Sequence, residues 1–309
     1  MVKRLGSHLM NLHTLFFLLV SGLPAGAVAD GPDRWKTVDL LIVAGQSNAV
    51  GFDASPVDLP EDDADQAIMF WWKSGDPPPD EHDSTSQGKW TRLKAQPLGD
   101  PIKPRSGRHY GNFAQPEGGF GPEMSLARTI YSKQRQPLAV LKIAFSGTGM
   151  RTDWNPADDG DGGRCYCALV EEFTKATKVA EQTRIRLRPR ALFWVQGESD
   201  ANADDAPKYA DALGRMIARL RADIDADDLP AFIALNTKFS KGANKFVPGI
   251  VEQQKELAAR DSNIHYVDTS AATTANYAHL DAAGTLLVGQ LFANRLLQVE
   301  EAGTIDNQK

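Results

Sequence analysis

The sequence predicts an α/β protein, a three-layer α/β/α sandwich around a parallel sheet of about five strands in a flavodoxin-like layout. The chain has 309 residues, 42% hydrophobic and 24% charged, as in an ordinary globular protein. Short apolar runs of strand length alternate with longer segments of helical periodicity. The runs are almost continuously apolar, as expected of strands buried on both faces.

The predicted strands are five apolar runs in chain order. They cover residues 38–44, 138–145, 191–195, 231–235 and, more weakly, 264–267. Apolar residues at helical spacing predict helices over 169–180, 209–224 and 283–292. Alternation of these elements favours a sheet that is covered by helices on both sides.

Residues 52–119 interrupt this alternation with acidic clusters, three successive prolines and scattered aromatic residues. We expect a loop-rich elaboration over one end of the sheet, with a short hairpin formed by 68–71 and 89–91. Its aromatic side chains either line a sugar-binding cleft or form a small core that holds the segment together. The small core is the more common arrangement.

The first 29 residues predict a signal peptide. A basic start (Lys3, Arg4) precedes an apolar run at 12–19 and a small-x-small cleavage site at 27–29. We therefore expect an exported protein, periplasmic or extracellular, with a single domain over 30–309. The apolar run is too short to span a bilayer, and no membrane span is expected after cleavage.

The net charge and the cysteine content argue against two classes of protein, nucleic-acid-binding proteins and disulfide-rich scaffolds. A net charge of −6 argues against a nucleic-acid partner. The pair Cys165 and Cys167 cannot form a disulfide scaffold, and these residues are either thiols or joined by a strained bond. An acidic motif at 158–163 lacks the ligand spacing of a calcium loop, so no metal is expected. No cofactor is expected either. The oligomeric state is not predicted.

Polar, glycine-bearing turns follow the first three predicted strands, at 45–48, 146–149 and 196–200. Because ligands bind beyond the carboxyl ends of parallel strands, we expect these turns to share one crevice. Ser47 lies where a strand turns into a helix, as either an exposed nucleophile or a helix N-cap. Gly45 would let a substrate approach the backbone closely.

His279 is the best candidate for a general base. It precedes the last predicted helix, whose N-terminus favours the neutral imidazole. The sequence places His265 inside a strand and His82 in a charged loop, and no carboxylate adjoins His109.

Five blocks in this order resemble those of the SGNH hydrolases, and within them the sialate O-acetylesterases and acetyl-xylan-esterase-like carbohydrate esterases. The blocks are GQSN at 45–48, GPE at 121–123, SGTG at 146–149, WVQGESD at 194–200 and HLDAAG at 279–284.

The resemblance implies a mechanism and a substrate class. Ser47 would be the nucleophile and His279 the base. The oxyanion would be bound by the backbone N–H groups of Ser47 and Gly147 and by the side chain of Gln196. The implied activity is that of an exported serine esterase that forms an acetyl-serine intermediate and deacetylates a carbohydrate, such as sialic acid, xylan or a related polysaccharide.

One position departs from the family pattern. The family commonly has an aspartate three residues before the histidine, where this chain has Asn276. Another acid must then orient His279, and Glu198 is the best candidate, with Asp200 and Asp281 as weaker alternatives.

Two other functions remain open. The chain could be an SGNH lipase or thioesterase for longer acyl groups, or a carbohydrate-binding protein whose catalysis is impaired by Asn276. Substrate specificity would lie in residues 52–119 and in the loop around Trp154.

Overall fold

The computed structural model describes residues 35–75, 82–102, 112–156, 163–235 and 237–306. Within them it has the predicted α/β/α architecture. The predicted signal peptide at 1–29, His109 and most of the acidic motif at 158–163 lie outside the described residues.

Nine strands are present in the described part of the chain. In chain order they are β1 (Lys36–Gly45), β2 (Met69–Lys73), β3 (His82–Asp83), β4 (Thr91–Arg92), β5 (Asp100–Pro101), β6 (Leu138–Ala144), β7 (Ile185–Val195), β8 (Ala231–Leu235) and β9 (Ile264–Asp268).

The central sheet has the order β4-β2-β6-β1-β7-β8-β9, and β3 pairs with β5 in a small separate sheet. Every pairing in the central sheet is parallel except that of β2 with β4. The five predicted strands are confirmed as β1, β6, β7, β8 and β9. In the sheet β1 lies between β6 and β7, so the turns after these three strands are neighbours.

Six α-helices complete the two outer layers of the described structure. They are α1 (Ser47–Val50), α2 (Glu123–Gln134), α3 (Arg164–Glu181), α4 (Tyr209–Asp223), α5 (Val247–Arg260) and α6 (Ala282–Asp306). No helix among the described residues is long and apolar enough to cross a membrane.

Strand β1 shows why both faces of the sheet are covered. Leu40 and Ile42 pack in one hydrophobic core with residues of α3, α4 and α5. Leu41 and Val43 pack in the other core with residues of α1, α2 and α6. Because successive side chains of a strand alternate between faces, the continuous apolar run of β1 fills both cores.

Residues 52–119 do more than cover one end of the sheet. The expected antiparallel pairing is present between β2 and β4, but β2 also extends the central sheet beside β6. Phe70, Trp71 and Trp72 are buried, and the Trp90 indole N–H donates to the carbonyl of Ala176 in α3. These aromatic residues therefore line no sugar-binding cleft, and in place of the expected separate small core they join the two main cores, Trp71 and Trp90 on one face of the sheet and Phe70 and Trp72 on the other.

A buried ion pair lies beneath α1. Lys142 of β6 and Glu123 of α2 have no solvent exposure, and Lys142 Nζ lies 3.0 Å from Glu123 Oε1. Lys142 Nζ also donates to the Val50 carbonyl oxygen at 2.7 Å and to Gln96 Oε1 at 2.5 Å. Burial lowers the pKa of Lys142, and Glu123 opposes that effect. The ammonium group thus holds the last residue of α1 against the sheet.

The structure answers two questions that the sequence left open, the state of the two cysteines and the role of Trp154. Cys165 and Cys167 are thiols and are not joined in a disulfide. Trp154 is completely buried, where its indole N–H donates to Thr148 Oγ1 at 2.9 Å and its ring packs edge-on to Trp194. Trp154 itself is therefore a core residue and not part of a specificity loop.

Candidate active site

The turns after β1, β6 and β7 line one pocket, as predicted. Ser47, Gly147 and Glu198 contribute to its wall, together with His279 from the segment before α6. The pocket has a volume of about 250 Å³, and the aromatic residues Phe52, Phe239 and Tyr277 also line it.

Ser47 is the first residue of α1, and its side chain is almost completely buried in the pocket wall. The N-cap of α1 is Gln46, with no side-chain capping bond, so the alternative role of Ser47 as a cap is wrong. Gly45 has a φ of 143°, and a Cβ there would lie 2.1 Å from the Val195 carbonyl oxygen of β7. The structure therefore requires glycine for strand packing and not for substrate approach.

The chain reverses sharply after α1. Gly51 adopts a left-handed φ of 83°, and a Cβ at this position would lie 1.7 Å from the carbonyl oxygen of Phe120. Only glycine adopts this backbone conformation without strain in so little space. The reversal brings Phe52 and Asp53 back to the segment before α6.

Asp53 is the carboxylate at the imidazole. Its Oδ2 atom lies 2.7 Å from His279 Nδ1, and the Phe52 ring packs on the imidazole with centroids 4.4 Å apart. A proton on Nδ1 is donated to Asp53, which leaves the Nε2 lone pair available as a base. Burial lowers the pKa of His279 while Asp53 counteracts the shift, so the neutral form is favoured near neutral pH.

The expectation that Glu198 orients His279 is therefore corrected. Glu198 Oε1 accepts a hydrogen bond from Asn48 Nδ2 at 2.7 Å, and Asn48 also binds the carbonyl oxygen of Ala278 and the N–H of Leu280. Burial raises the pKa of Glu198 to about 7. Within the described structure, Glu198 is thus linked to the histidine segment through the amide of Asn48.

The two weaker candidate acids also have other partners. Asp200 accepts hydrogen bonds from the Met150 N–H and from Gln196, and burial raises its pKa to about 6. Asp281 binds Thr273 Oγ1 and the Gly284 N–H at the start of α6.

Asn276 supports the Asp53–His279 pair without replacing the acid. Its Nδ2 atom donates to Asp53 Oδ2 at 2.8 Å. Its Oδ1 atom accepts the backbone N–H groups of Ala278 and His279 at 2.9 and 3.0 Å. The amide therefore fixes both the carboxylate and the turn that carries the imidazole, and it does not touch the ring itself.

Gln196 is not placed to act as an oxyanion donor. Its Nε2 atom donates to the Thr148 carbonyl oxygen at 3.0 Å and to Asp200 Oδ2 at 2.5 Å. An amide nitrogen has only two hydrogens, so both are engaged inside the protein. Gln46 lies in the pocket wall instead, and its Oε1 accepts the N–H groups of Gly197 and Ser199.

The remaining described histidines lie away from the pocket. His82 is in the two-residue strand β3, and His265 is in β9, where its ring packs on Phe232. Within the described residues, no group of three or more His, Cys, Asp or Glu side chains is placed to hold a metal ion.

Comparisons with known sequences point to one family. A family model described as carbohydrate esterase, sialic acid-specific acetylesterase, matches residues 37–298. The sequence is also 28% identical over 116 residues to a probable carbohydrate esterase of Arabidopsis thaliana. That match spans 36% of this chain and 40% of the relative, which is less than half of the relative's length.

Solved structures share the fold at low sequence identity. A protein from Arabidopsis thaliana has a TM-score of 0.60 at 20% identity, over 84% of this chain and 98% of the other. The structure of NanS has a TM-score of 0.56 at 15% identity, over 87% and 99%. A carbohydrate acetylesterase from Xanthomonas citri has a TM-score of 0.52 at 15% identity, over 83% and 55%.

Proposed function

The chain belongs to the carbohydrate esterase family of sialic acid-specific acetylesterases, and on that premise we propose that it removes O-acetyl groups from a carbohydrate through an acetyl-serine intermediate. The observation that carries the proposal is the contact of 2.7 Å between Asp53 and His279 at the wall of the pocket that contains Ser47. The pocket wall therefore contains a serine, a base and an acid that orients the base, and acyl transfer requires these three groups.

In the proposed first step, Ser47 Oγ attacks the acetyl carbonyl carbon while His279 Nε2 takes the hydroxyl proton. The tetrahedral intermediate collapses when His279 returns that proton to the sugar oxygen, which leaves as an alcohol. Water then attacks the acetyl-serine with the same base, and acetate and Ser47 are released. Asp53 stabilises the imidazolium in both steps.

We propose that the oxyanion is bound by the backbone N–H groups of Ser47 and Gly147 and by the side chain of Gln46. Gly147 lines the pocket in a left-handed conformation, with a φ of 66°. The Gln46 oxygen faces the turn after β7, so its amide nitrogen is left to face the pocket. In this proposal Gln46 has the role that the family resemblance implied for Gln196.

We propose acetyl esters as substrates rather than the longer acyl esters of a lipase or thioesterase. The support for this choice is the matching family model, which describes acetylesterases. The pocket volume of about 250 Å³ is compatible with a small acyl group. The alternative of a binding protein with impaired catalysis was motivated by Asn276, and Asp53 removes that motive.

The test is acetate release by the purified protein from O-acetylated sialic acid, acetylated xylo-oligosaccharides and 4-nitrophenyl acetate. Ser47→Ala should lower kcat by about 10⁴-fold or more, because the nucleophile is lost. Ser132→Ala on the exposed face of α2 is the matched control and should retain full activity. Absence of acetate release by the wild type, or full activity of Ser47→Ala, would overturn the proposal.

We also propose that the protein is exported, because residues 1–29 have the charge and apolar pattern of a signal peptide. Expression of the full chain, fractionation and N-terminal sequencing test this. A mature N-terminus at Asp30 outside the cytoplasm is expected, and an intact Met1 in the cytoplasmic fraction would contradict it.

A further inference from the structure

Two aromatic residues at the pocket have no part in the proposed chemistry. Phe52, Phe239 and Tyr277 line the pocket that contains Ser47, and of these Phe52 packs on the imidazole of His279. Tyr277 is 65% exposed, and Phe239 is partly buried against the core. A single exposed aromatic side chain is common on protein surfaces, but aromatic side chains that share a pocket are typical of ligand-binding sites. Tyr277 and Phe239 are therefore candidates for contact with the substrate.

The backbone around Tyr277 is held in place although its side chain is open. Asn276 Oδ1 accepts the N–H groups of Ala278 and His279 at 2.9 and 3.0 Å. The carbonyl oxygen of Tyr277 accepts the N–H of Ser240 at 2.6 Å. A tyrosine on a fixed backbone has few side-chain torsions to lose, so it can contact a ligand at a small cost in conformational entropy.

The turn that contacts Tyr277 is strained. Ser240 and Lys241 have φ angles of 61° and 48°, in the left-handed region that residues other than glycine rarely adopt. Such conformations cost free energy and cluster at ligand-binding and active sites. Phe239 directly precedes this turn, and the Ser240 N–H donates to the Tyr277 carbonyl oxygen. The turn therefore holds the segments that carry Phe239 and Tyr277 together at the pocket.

The proposed chemistry places the sugar at this segment. His279 Nε2 returns its proton to the departing sugar oxygen, so that oxygen must lie within hydrogen-bond distance of the imidazole. Tyr277 is two residues before His279 in the segment that precedes α6, and both residues line the pocket. The alcohol part of the ester therefore lies at the segment that carries Tyr277.

A pyranose ring suits an aromatic surface. The hydrogens on its ring carbons form apolar faces, and its hydroxyl groups lie mainly around the rim. Packing of such a face on a tyrosine ring removes apolar area from water on both sides while the sugar hydroxyls stay hydrated. We propose that Tyr277, together with Phe239, forms the surface on which the sugar ring of the substrate packs. The inference rests on the proposed esterase function and extends it to the alcohol part of the ester.

The experiment compares acetyl esters with and without a sugar ring. The sugar esters are O-acetylated sialic acid and acetylated xylo-oligosaccharides, and the ester without a ring is ethyl acetate. The readout is the ratio of kcat/KM for the better sugar ester to kcat/KM for ethyl acetate. Tyr277→Ala should lower this ratio by about tenfold or more, as is usual when an aromatic residue that packs on a ligand is truncated. Most of the change should lie in KM for the sugar ester, because the contact is the same before and during the reaction.

Two further variants assign the effect to the tyrosine ring. Tyr277→Phe keeps the ring and removes only the hydroxyl, so its ratio should stay within about twofold of the wild type. Tyr266→Ala is the matched control, because Tyr266 is also exposed, at 40%, but lies on β9 beside Lys255 and does not line the Ser47 pocket. Its ratio should equal that of the wild type. Both esters use the same serine and histidine, so the ratio also corrects for any loss of folded enzyme.

The outcomes separate the inference from the function on which it rests. An unchanged ratio in Tyr277→Ala, or an equal loss in Tyr277→Phe, overturns the role of the ring while acetate release from the sugar esters still supports the esterase. Acetate release by the wild type from ethyl acetate alone overturns the sugar as substrate and this surface with it. If the wild type releases no acetate from any ester, the proposed function fails and the inference fails with it.

Discussion

Asp53 Oδ2 lies 2.7 Å from His279 Nδ1, although 226 positions separate the two residues in the chain. Asp53 is only six residues after Ser47, on the turn that leaves the one-turn helix α1. A single short segment thus brings both the proposed nucleophile and the proposed acid to the pocket. The imidazole arrives from the other end of the chain, on the turn before α6.

Replacement of Asp53 by asparagine should abolish most of the activity. In a serine protease the equivalent carboxylate-to-amide change lowers kcat by about 10⁴-fold, because the imidazole takes the wrong tautomer. We expect a loss of about 10³–10⁴-fold in kcat for Asp53→Asn, measured as acetate release at pH 8. The Asp53 carboxylate also raises the pKa of His279, so the acidic limb of the variant's pH profile should move to lower pH.

Asp58→Asn is the control for this substitution. Asp58 is an exposed carboxylate on the same segment, and its loss should leave kcat within twofold of the wild type, about the scatter of such measurements. Full activity of Asp53→Asn together with a collapse in Glu198→Gln would restore Glu198 as the orienting acid.

The change Asn276→Asp should lower activity even though it recreates the family pattern. The Nδ2 atom of Asn276 donates to Asp53 Oδ2 at 2.8 Å, so a second carboxylate would face the first at hydrogen-bond distance. Like charges this close raise one of the two pKa values, and the donor that holds Asp53 is lost. A fall in kcat/KM of about tenfold or more, steepest at high pH, is expected in a pH-rate profile. A clear gain in activity would show that Asp53 is not the working acid.

The strands, the proposed nucleophile and the proposed base could be predicted from the sequence for physical reasons. A strand buried on both faces has a nearly continuous apolar run, and chemistry in such sheets collects at the carboxyl ends of strands. These two facts singled out Ser47, whereas His279 was selected because it precedes the last predicted helix, whose N-terminus favours the neutral imidazole. The same two facts also placed Gly147 and Glu198 in the same crevice.

The proposed acid, Asp53, and the proposed third oxyanion donor, Gln46, could not be predicted in this way. Asp53 lies in an acidic segment without periodicity, and its position depends on the reversal at Gly51 against Phe120, which is a long-range contact. The one available signal was the run Gly51-Phe52-Asp53 directly after the nucleophile helix. Gln196 was misassigned because the partners that engage its amide, Asp200 and the Thr148 carbonyl, are brought to it by folding.

The free energy of unfolding should fall as the pH rises, because Glu198 is buried. Burial raises its pKa from 4.5 to about 7, so the folded protein binds more protons than the unfolded chain between these values. Stability is therefore lost as the pH rises through this window, by roughly 3 kcal/mol at most from this group. In urea unfolding, the free energy of unfolding of Glu198→Gln should exceed that of the wild type by more at pH 8 than at pH 5.

Glu256→Gln on the exposed side of α5 is the control for this prediction. A difference that is independent of pH would contradict the burial of a carboxyl group at this site.

Removing Lys142 alone from its buried pair with Glu123 should lower the free energy of unfolding more than replacing both residues together. Lys142→Met leaves the Glu123 carboxylate buried without its cation, which typically costs about 3–5 kcal/mol of unfolding free energy. In the double variant Lys142→Met/Glu123→Gln the charge is gone and the amide oxygen can still accept the Gly121 N–H, so at least about 1 kcal/mol should be recovered.

The control is the exposed Lys175 of α3, which lies 3.6 Å from the exposed Glu171 and 3.0 Å from Glu172, and where Lys175→Met should cost less than about 1 kcal/mol. Because Lys142 Nζ also binds the Val50 carbonyl oxygen just before Gly51 and Asp53, both variants at Lys142 should lose activity beyond their loss of stability. Urea unfolding and acetate release under fully folded conditions separate the two effects. Destabilised variants with unchanged kcat would show that the pair supports the core and has no part in positioning Asp53.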